Sequence, residues 1–225
     1  MTENDILYFR LCYQLGLIKS PFLEIGSAKV QRVMPNLCDL ARDLKVEQVR
    51  GVDMIPGEGV DFTCDFSVSP EDFHAGWVHG TFATVAVFNV LEHTFDPIAF
   101  LHNALHCVAS GGTLLVVTPA VWPLHNWPVD CVRLMPHWYE EFARQFGLSL
   151  VPDAFCWLSQ FGIIKVSNLI SQGRGGYQLP TFHDLGRSQS IRRYWVSRFI
   201  HRIFDTYGRS HSFTHAAIGA AFVVP

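Results

Sequence analysis

The stretch Phe22-Leu23-Glu24-Ile25-Gly26-Ser27 places an acidic residue and a glycine at the end of a short apolar run. This pattern predicts a buried strand that ends in a loop, because glycine permits a sharp turn and lets a ligand approach the backbone. Two further strand ends have a similar composition, at Gly51-Val52-Asp53 and at Phe88-Asn89-Val90-Leu91-Glu92-His93. We therefore predict three strand-end loops that share one crevice, with loop amides that face a ligand.

The rest of the chain predicts an α/β domain built on these strands. Of its 225 residues, 49% are hydrophobic and 16% are charged, which is typical of a folded globular protein. Strand-like segments such as 82–90 and 113–118 alternate with helical segments such as 97–108 and 136–146. This alternation predicts a Rossmann-like, doubly wound and mostly parallel sheet, which binds ligands outside the carboxyl ends of its strands.

Two less regular regions complete the predicted domain. Residues 27–44 are expected to contain a helix with Pro35 in its first turn, where a missing N–H costs nothing. Residues 158–212 are expected to form a helical, basic insertion or cap before a last strand at 214–224. Residues 1–225 are thus expected to form one domain.

Positive charge is concentrated in the C-terminal part of the chain. Residues 158–225 hold 8 Lys+Arg and 2 Asp+Glu, whereas residues 1–157 hold 9 and 18. Residues 189–207 read as a basic amphipathic helix that could contact a membrane or another anionic surface, or could pack on the acidic body. Nucleic acid is disfavoured because the net charge of the whole chain is −3. The sequence does not indicate an oligomeric state.

Cysteine and histidine spacing predicts neither a disulfide frame nor a metal site. The six cysteines form no C-x-x-C pair, which is typical of buried thiols in a reducing compartment. The pairs His102/His106 and His211/His215 lack an evident third ligand. The start of the chain does not resemble a signal peptide, and no uncharged apolar run reaches the roughly 18 residues of a membrane span. We expect a cytoplasmic protein, with peripheral contact to a membrane as an open option.

Polar residues at the strand ends suit a ligand that carries a ribose and amino groups. Asp53 could bond both ribose hydroxyls, although a lone aspartate also forms turns. Asp65-Phe66 could bind and stack on an adenine, or could lie in an N-cap region. Asn89 could help to hold an amino group. The run Gly26-Ser-Ala-Lys-Val-Gln31 lacks the second and third glycines of a dinucleotide fingerprint, which argues against a nicotinamide dehydrogenase.

Together these segments resemble class I S-adenosylmethionine (SAM)-dependent methyltransferases, particularly the bacterial group with a strand-end V-L-E-H motif. The resemblance covers roughly residues 20–150 and rests on short motifs in matching order. These motifs are Leu23-Glu-Ile-Gly-Ser27, Gly51-Val-Asp53, Gly57-Glu-Gly-Val-Asp61, Val90-Leu-Glu-His93, Gly111-Gly112 and Thr118-Pro119. Ala28 and Val30 depart from the pattern, since glycine is common at their positions.

The resemblance implies SAM as the cofactor and assigns its contacts by position. The implied contacts are Glu24, Gly26 and Ser27 for the methionine end, Asp53 and Met54 for the ribose, Asp65 and Phe66 for the adenine, and Asn89 near the methionyl amine. The altered first loop leaves a cofactor-free pseudoenzyme open.

The segment 125–133 is similar to the H-x-x-P-x-D-x-x-R stretch of methyltransferases that act on glycans and other small acceptors. This similarity implies methyl transfer to a hydroxyl, on a sugar, nucleotide-sugar or lipid-linked glycan. The candidate general bases are His125, His93 and Asp130, in that order. Trp127 and Arg133 are expected to contact the acceptor, although Asp130 and Arg133 could equally form a salt bridge that fixes the loop. The alternatives are methylation of a small aromatic or carboxylate metabolite, and a non-catalytic scaffold.

Overall fold

In the computed structural model, the described residues are 2–29, 35–74, 79–125, 129–159, 162–169 and 216–225. The regular elements of these residues alternate between strands and helices over most of the chain. In order they are α1 (Glu3–Gln14), β1 (Phe22–Ile25), α2 (Leu37–Asp43), β2 (Val49–Asp53), β3 (Phe62–Thr63), β4 (Phe82–Phe88), α3 (Pro97–Cys107), β5 (Val108–Val121), α4 (Pro136–Phe146), β6 (Ser149–Leu150), β7 (Cys156–Ser159), β8 (Gly162–Lys165) and β9 (Ala216–Val223). Short 3-10 turns lie at Leu91–His93, Pro152–Ala154 and Val166–Leu169.

The strands form one sheet in the order β3-β2-β1-β4-β5-β9-β7-β8, with β6 also paired to β9. Strands β1 to β5 run parallel to one another. Strand β9 is antiparallel to β5, β6 and β7, and β8 is antiparallel to β7. The prediction of a doubly wound, mostly parallel sheet is confirmed.

Helices cover both faces of this sheet, so its central strands are buried on two sides. Helices α1 and α2 pack with Leu115 and Val117 of β5 on one face. Helices α3 and α4 pack with Leu114 and Val116 on the other face. The apolar run at residues 114–117 of β5 follows from this arrangement, because a strand covered on both faces has no solvated side to fill with polar residues.

Helix α2 begins later than the sequence suggested. Pro35 lies before the helix rather than in its first turn, and Asn36 is the N-cap. The Asn36 side chain accepts from Asp39 N at 3.0 Å, and the Asp39 carboxylate accepts from Asn36 N at 3.4 Å. This reciprocal pair satisfies two amides that the helix itself leaves free, and so fixes its start at Leu37.

The region expected to be a helical insertion from residue 158 begins as a β-hairpin. Leu158 and Ser159 belong to β7, which pairs with both β8 and β9. The described part of that insertion, 158–159 and 162–169, therefore extends the sheet. The predicted basic helix at 189–207 lies outside the described residues. No helix in the described part of the chain is long and apolar enough to cross a membrane.

Candidate functional site

Two cavities open at the carboxyl ends of the parallel strands. The first has a volume of about 520 Å³ and lies over β1, β2 and β4. That volume falls within the roughly 300–1,000 Å³ typical of sites for small molecules and cofactors. Six of the eight predicted cofactor residues line it, namely Gly26, Asp53, Met54, Asp65, Phe66 and Asn89. The parallel topology accounts for this convergence, since it brings all these strand ends to one edge.

Gly26 ends β1 in a conformation that only glycine adopts freely. Its φ is +84°, and a Cβ built on it would lie 2.3 Å from Val90 Cγ2. Its amide and that of Ser27 donate to Val52 O at 2.8 and 3.1 Å. The next two amides are also engaged: Ala28 N donates to Asp53 Oδ2, and Lys29 N donates to Glu58 O. The expectation that these amides face a ligand is therefore wrong, because each already has a partner within the protein.

Glu24 and Ser27 lie behind this loop and do not line the cavity. The Glu24 carboxylate accepts from Leu37 N at 3.1 Å and from Cys38 N at 2.8 Å, at the N-terminus of α2. Burial raises the pKa of Glu24 to about 7. The Ser27 hydroxyl is buried without a hydrogen-bond partner among the described residues. In this structure the Glu24 side chain anchors the start of α2, and direct contact of Glu24 or Ser27 with a cofactor stays a prediction.

The carboxylates of Asp53 and Asp65 line the cavity and also fold their own loops. Asp53 accepts from Ala28 N at 3.0 Å and from Ile55 N at 3.3 Å, which ties two strand-end loops together. Asp65 Oδ1 accepts from the Ser67 amide at 2.8 Å and from the Ser67 hydroxyl at 2.5 Å. A carboxylate offers about four lone-pair positions, so both groups keep capacity for a ligand.

Phe66 reaches the cavity from inside the core. Its side chain is buried, and its ring centroid lies 4.9 Å from that of Phe73 and 5.9 Å from that of Phe100. Asn103 Nδ2 donates to Phe66 O at 3.1 Å, which fixes the backbone at this point. The ring is held on the cavity wall, and its stacking on an adenine stays a prediction.

Asn89 lies at the boundary between the two cavities and lines both. It ends β4 with a φ of +54°, a left-handed conformation that asparagine tolerates better than most residues. Its Nδ2 donates to Asp5 Oδ2 at 3.0 Å, which joins the strand end to the start of α1. The sequence placed Asn89 at a strand end, but it did not reveal Asp5 as its partner.

The second cavity has a volume of about 440 Å³ and lies beside the loop after β5. The start of α1 forms one wall, and residues from the β4 and β5 loops and from β7 and β9 form the others. Its lining is Thr2, Glu3, Asn4, Asp5, Asn89, Glu92, Pro119, Trp122, His125, Leu158 and Ala217. Among these described residues Glu3, Asp5 and Glu92 are acidic, and His125 is the one residue that can carry a positive charge.

Glu92, His93 and His125 form a compact cluster between the cavities. His93 lines the first cavity, whereas Glu92 and His125 line the second. The Nε2 atoms of His93 and His125 lie 3.7 and 4.0 Å from Glu92 Oε1. Glu92 is 1% exposed, its Oε2 has no hydrogen-bond partner among the described residues, and burial raises its pKa to about 7. Both histidines are predicted site residues, whereas Glu92 is not, although it belongs to the V-L-E-H motif.

Asp130 and Arg133 form the salt bridge that the sequence analysis left as an alternative. Both terminal nitrogens of Arg133 donate to the Asp130 carboxylate. The Arg133 guanidinium holds the pKa of Asp130 far below its usual range, so this carboxylate is a poor proton acceptor. Asp130 Oδ2 also lies 3.2 Å from His125 Nδ1 and accepts from His125 N at 3.0 Å. The pair therefore orients His125, and Trp127 lies outside the described residues.

Comparison with solved structures identifies the fold. A SAM-dependent methyltransferase from Archaeoglobus fulgidus superposes with a TM-score of 0.53 at 13% identity, over 98% of this chain and 94% of that one. The phosphoethanolamine N-methyltransferase 2 of Haemonchus contortus, in complex with phosphomonomethylethanolamine and S-adenosylhomocysteine, superposes with a TM-score of 0.54 at 14% identity, over 99% of this chain and 53% of that one. The [4+2]-cyclase SpnF superposes with a TM-score of 0.51 at 16% identity, over 98% of this chain and 81% of that one.

Neither a family model nor a curated protein sequence matches this chain. The structural likenesses are all at low sequence identity, so they bear on architecture rather than on substrate. The mostly parallel sheet with helices on both faces agrees with them. The chain has the fold of the class I SAM-dependent methyltransferases.

Proposed function

We propose that the protein is a SAM-dependent methyltransferase that methylates a hydroxyl of a small acceptor, with a sugar as the favoured acceptor class. The observation that carries this proposal is the position of the Glu92, His93 and His125 cluster. It lies between a cavity lined by predicted cofactor residues and a second cavity whose lining includes several acidic and amide side chains. A donor in the first cavity and an acceptor in the second would meet at this cluster.

The residues of the first cavity fit SAM by their chemistry. SAM carries ribose hydroxyls, an adenine amine and a methionyl ammonium, all of which donate hydrogen bonds. The cavity offers acceptors for these groups in the carboxylates of Asp53 and Asp65 and the side-chain carbonyl of Asn89. When bound, SAM supplies an electrophilic methyl group on a sulfonium, and the electron pair of the broken C–S bond stays on sulfur.

His125 is the residue best placed to take the acceptor's proton. Its Nδ1 faces Asp130 Oδ2 at 3.2 Å, so the neutral ring carries its hydrogen there and leaves Nε2 as an acceptor. Its side chain is 35% exposed, which lets an acceptor reach it. Asp130 remains charged and would stabilise a protonated His125. Methyl transfer from a sulfonium needs mainly alignment, and the base assists by making the oxygen more nucleophilic.

The lining of the second cavity favours a neutral acceptor rich in hydroxyls. Glu3, Asp5 and Glu92 line it, and Arg133 is occupied by Asp130. These acidic side chains would repel an acceptor that carries a carboxylate. The lining therefore weighs against methylation of a small carboxylate metabolite. The same acidic lining would attract a cation, so N-methylation of an amine is the second candidate.

The test separates cofactor use from acceptor chemistry. Calorimetry with SAM and S-adenosylhomocysteine should show one site per chain, and Asp53→Ala should abolish that binding. Transfer of a labelled methyl group to a panel of methyl glycosides, nucleotide sugars and small amines should then identify the acceptor class. His125→Ala should lose turnover while it keeps its affinity for S-adenosylhomocysteine. Absence of binding by either nucleotide would overturn the enzyme proposal in favour of a scaffold.

A further inference from the structure

Three potential ligand atoms meet in the cluster of Glu92, His93 and His125. Each residue offers one ligand atom, and these atoms lie within 4.8 Å of one another. The two imidazole Nε2 atoms both approach Glu92 Oε1, at 3.7 and 4.0 Å. Glu92 is almost wholly buried, and its second oxygen has no partner among the described residues. A buried carboxylate in this state lacks the pairing that its burial requires.

The other nitrogen of each histidine is held by an acceptor. His93 Nδ1 lies 2.5 Å from Val129 O, and His125 Nδ1 lies 3.2 Å from Asp130 Oδ2 and 3.4 Å from Pro123 O. A carbonyl or carboxylate oxygen accepts a hydrogen bond, so Nδ1 of each ring must carry the hydrogen. In the neutral ring the other nitrogen, Nε2, then has a free lone pair. Two lone pairs and a carboxylate oxygen therefore face one another. A histidine whose Nδ1–H is fixed by an oxygen is the usual outer-shell arrangement of a metal ligand.

We propose that Glu92, His93 and His125 bind a divalent transition-metal ion through Glu92 Oε1 and the two Nε2 atoms. Two imidazoles and one carboxylate suit zinc, cobalt, manganese or iron better than magnesium or calcium. With metal–ligand bonds of about 2.1 Å, donors in such sites lie about 3.0–3.4 Å apart, so the cluster needs only a modest contraction. His93 lines the first cavity and Glu92 and His125 line the second, so an ion held by these residues would lie at the boundary between the cavities.

Metal binding itself does not depend on the proposed function, whereas its role in catalysis rests on it. An acceptor hydroxyl bound to the ion would lose its proton to water, because coordination lowers the pKa of the hydroxyl. The resulting oxygen anion would attack the methyl carbon as the C–S bond breaks. In this arrangement His125 is a ligand rather than the proton acceptor. The competing explanation is a proton shared between Glu92 and a histidine, with no ion.

Cobalt binding to the untagged, chelator-treated full chain tests the site. We expect one Co²⁺ per chain, with visible absorption bands from coordination by nitrogen and oxygen. Glu92→Gln should weaken binding by at least about 100-fold, and Asp130→Asn, which alters the partner of His125, by about 10–100-fold. His106→Gln is the matched control, because His106 belongs to a separate group with His79 and His102. That variant should bind Co²⁺ as the parent does.

The midpoint of urea unfolding, measured on each variant, shows whether the fold is intact. If the parent binds Co²⁺ no more tightly than a folded Glu92→Gln variant, the metal site is refuted and the shared proton remains. Methyl transfer that survives complete metal removal would refute the catalytic role alone. Conversely, tight Co²⁺ binding without any SAM binding would refute the proposed function and leave the metal site standing.

Discussion

Replacing Gly26 by alanine should destabilise the protein and weaken SAM binding, because two separate costs fall on this residue. A left-handed backbone costs a non-glycine residue about 1–2 kcal/mol. The added Cβ would also lie 2.3 Å from Val90 Cγ2, and overpacking of this kind costs about 1–3 kcal/mol. The two together predict a loss of about 2–5 kcal/mol in the free energy of unfolding. Urea unfolding followed by tryptophan fluorescence measures this loss.

Gly16→Ala is the matched control, because Gly16 has a φ of +70° but no heavy atom within 4 Å of a built Cβ. It should show the backbone cost alone. Val90→Ala should relieve the clash, so a double-mutant cycle with Gly26→Ala should give a coupling of about 1–3 kcal/mol. The reasoning is refuted if Gly26→Ala costs no more than Gly16→Ala, or if the cycle shows no coupling. Calorimetry with S-adenosylhomocysteine should show weaker binding in Gly26→Ala and unchanged binding in Gly16→Ala.

Three further predictions concern buried groups and one exposed thiol. Glu24 has its pKa raised from 4.5 to about 7 by burial, so the free energy of unfolding should fall by roughly 3 kcal/mol as pH rises between these values, and Glu24→Gln should remove that part of the slope. A pH profile of stability identical in parent and variant would contradict this. Gly51→Ala should cost about 1–3 kcal/mol in urea unfolding, because its Cβ would lie 2.3 Å from Gly59 O; an unchanged midpoint would be the contrary result. Cys131 is the exposed cysteine, so a thiol reagent should label it faster than the other cysteines in the native protein. The fastest phase of labelling should be absent from Cys131→Ser.

Helix boundaries were predictable where local chemistry sets them. Helix α4 runs from Pro136 to Phe146 as expected, since proline at its start and Gly147 at its end, with a φ of +65°, both act within one turn. Helix α2 starts later than a first turn at Pro35 would require, because the capping pair of Asn36 and Asp39 sets its beginning. That pair was visible in the sequence.

Long-range pairing was harder to predict. Strand β7 has four residues, and its partner β9 lies more than fifty residues along the chain. Nothing local to Cys156–Ser159 distinguishes a strand of the central sheet from the start of an insertion. Its pairing with Ala216–Val223 makes this segment a strand, and that pairing forms only when the sheet is folded.

The first cavity followed from the sequence because its residues end neighbouring parallel strands. Topology alone brings Asp53 and Asn89 to one edge. The contacts between side chains of different loops could not be predicted from the order of the strands. Glu92 contacts His125 across two loops, 33 positions apart, and no spacing rule connects them. The engaged amides of the first loop were equally hidden, since their partners depend on how Glu58 and Asp53 fold back.

The cluster between the cavities also bears on whether the chain is an enzyme. The fold alone does not decide this, because one fold can host many unrelated functions and activity has to be argued from the site. A scaffold gains nothing from an unpaired buried carboxylate oxygen, which costs about 1–3 kcal/mol or more when charged. Glu92 nevertheless lies buried with two imidazole lone pairs facing it, at the point where both cavities meet. Such an arrangement persists most readily where a bound ion or a proton in transit offsets its cost, and its place between the two cavities favours a catalytic role.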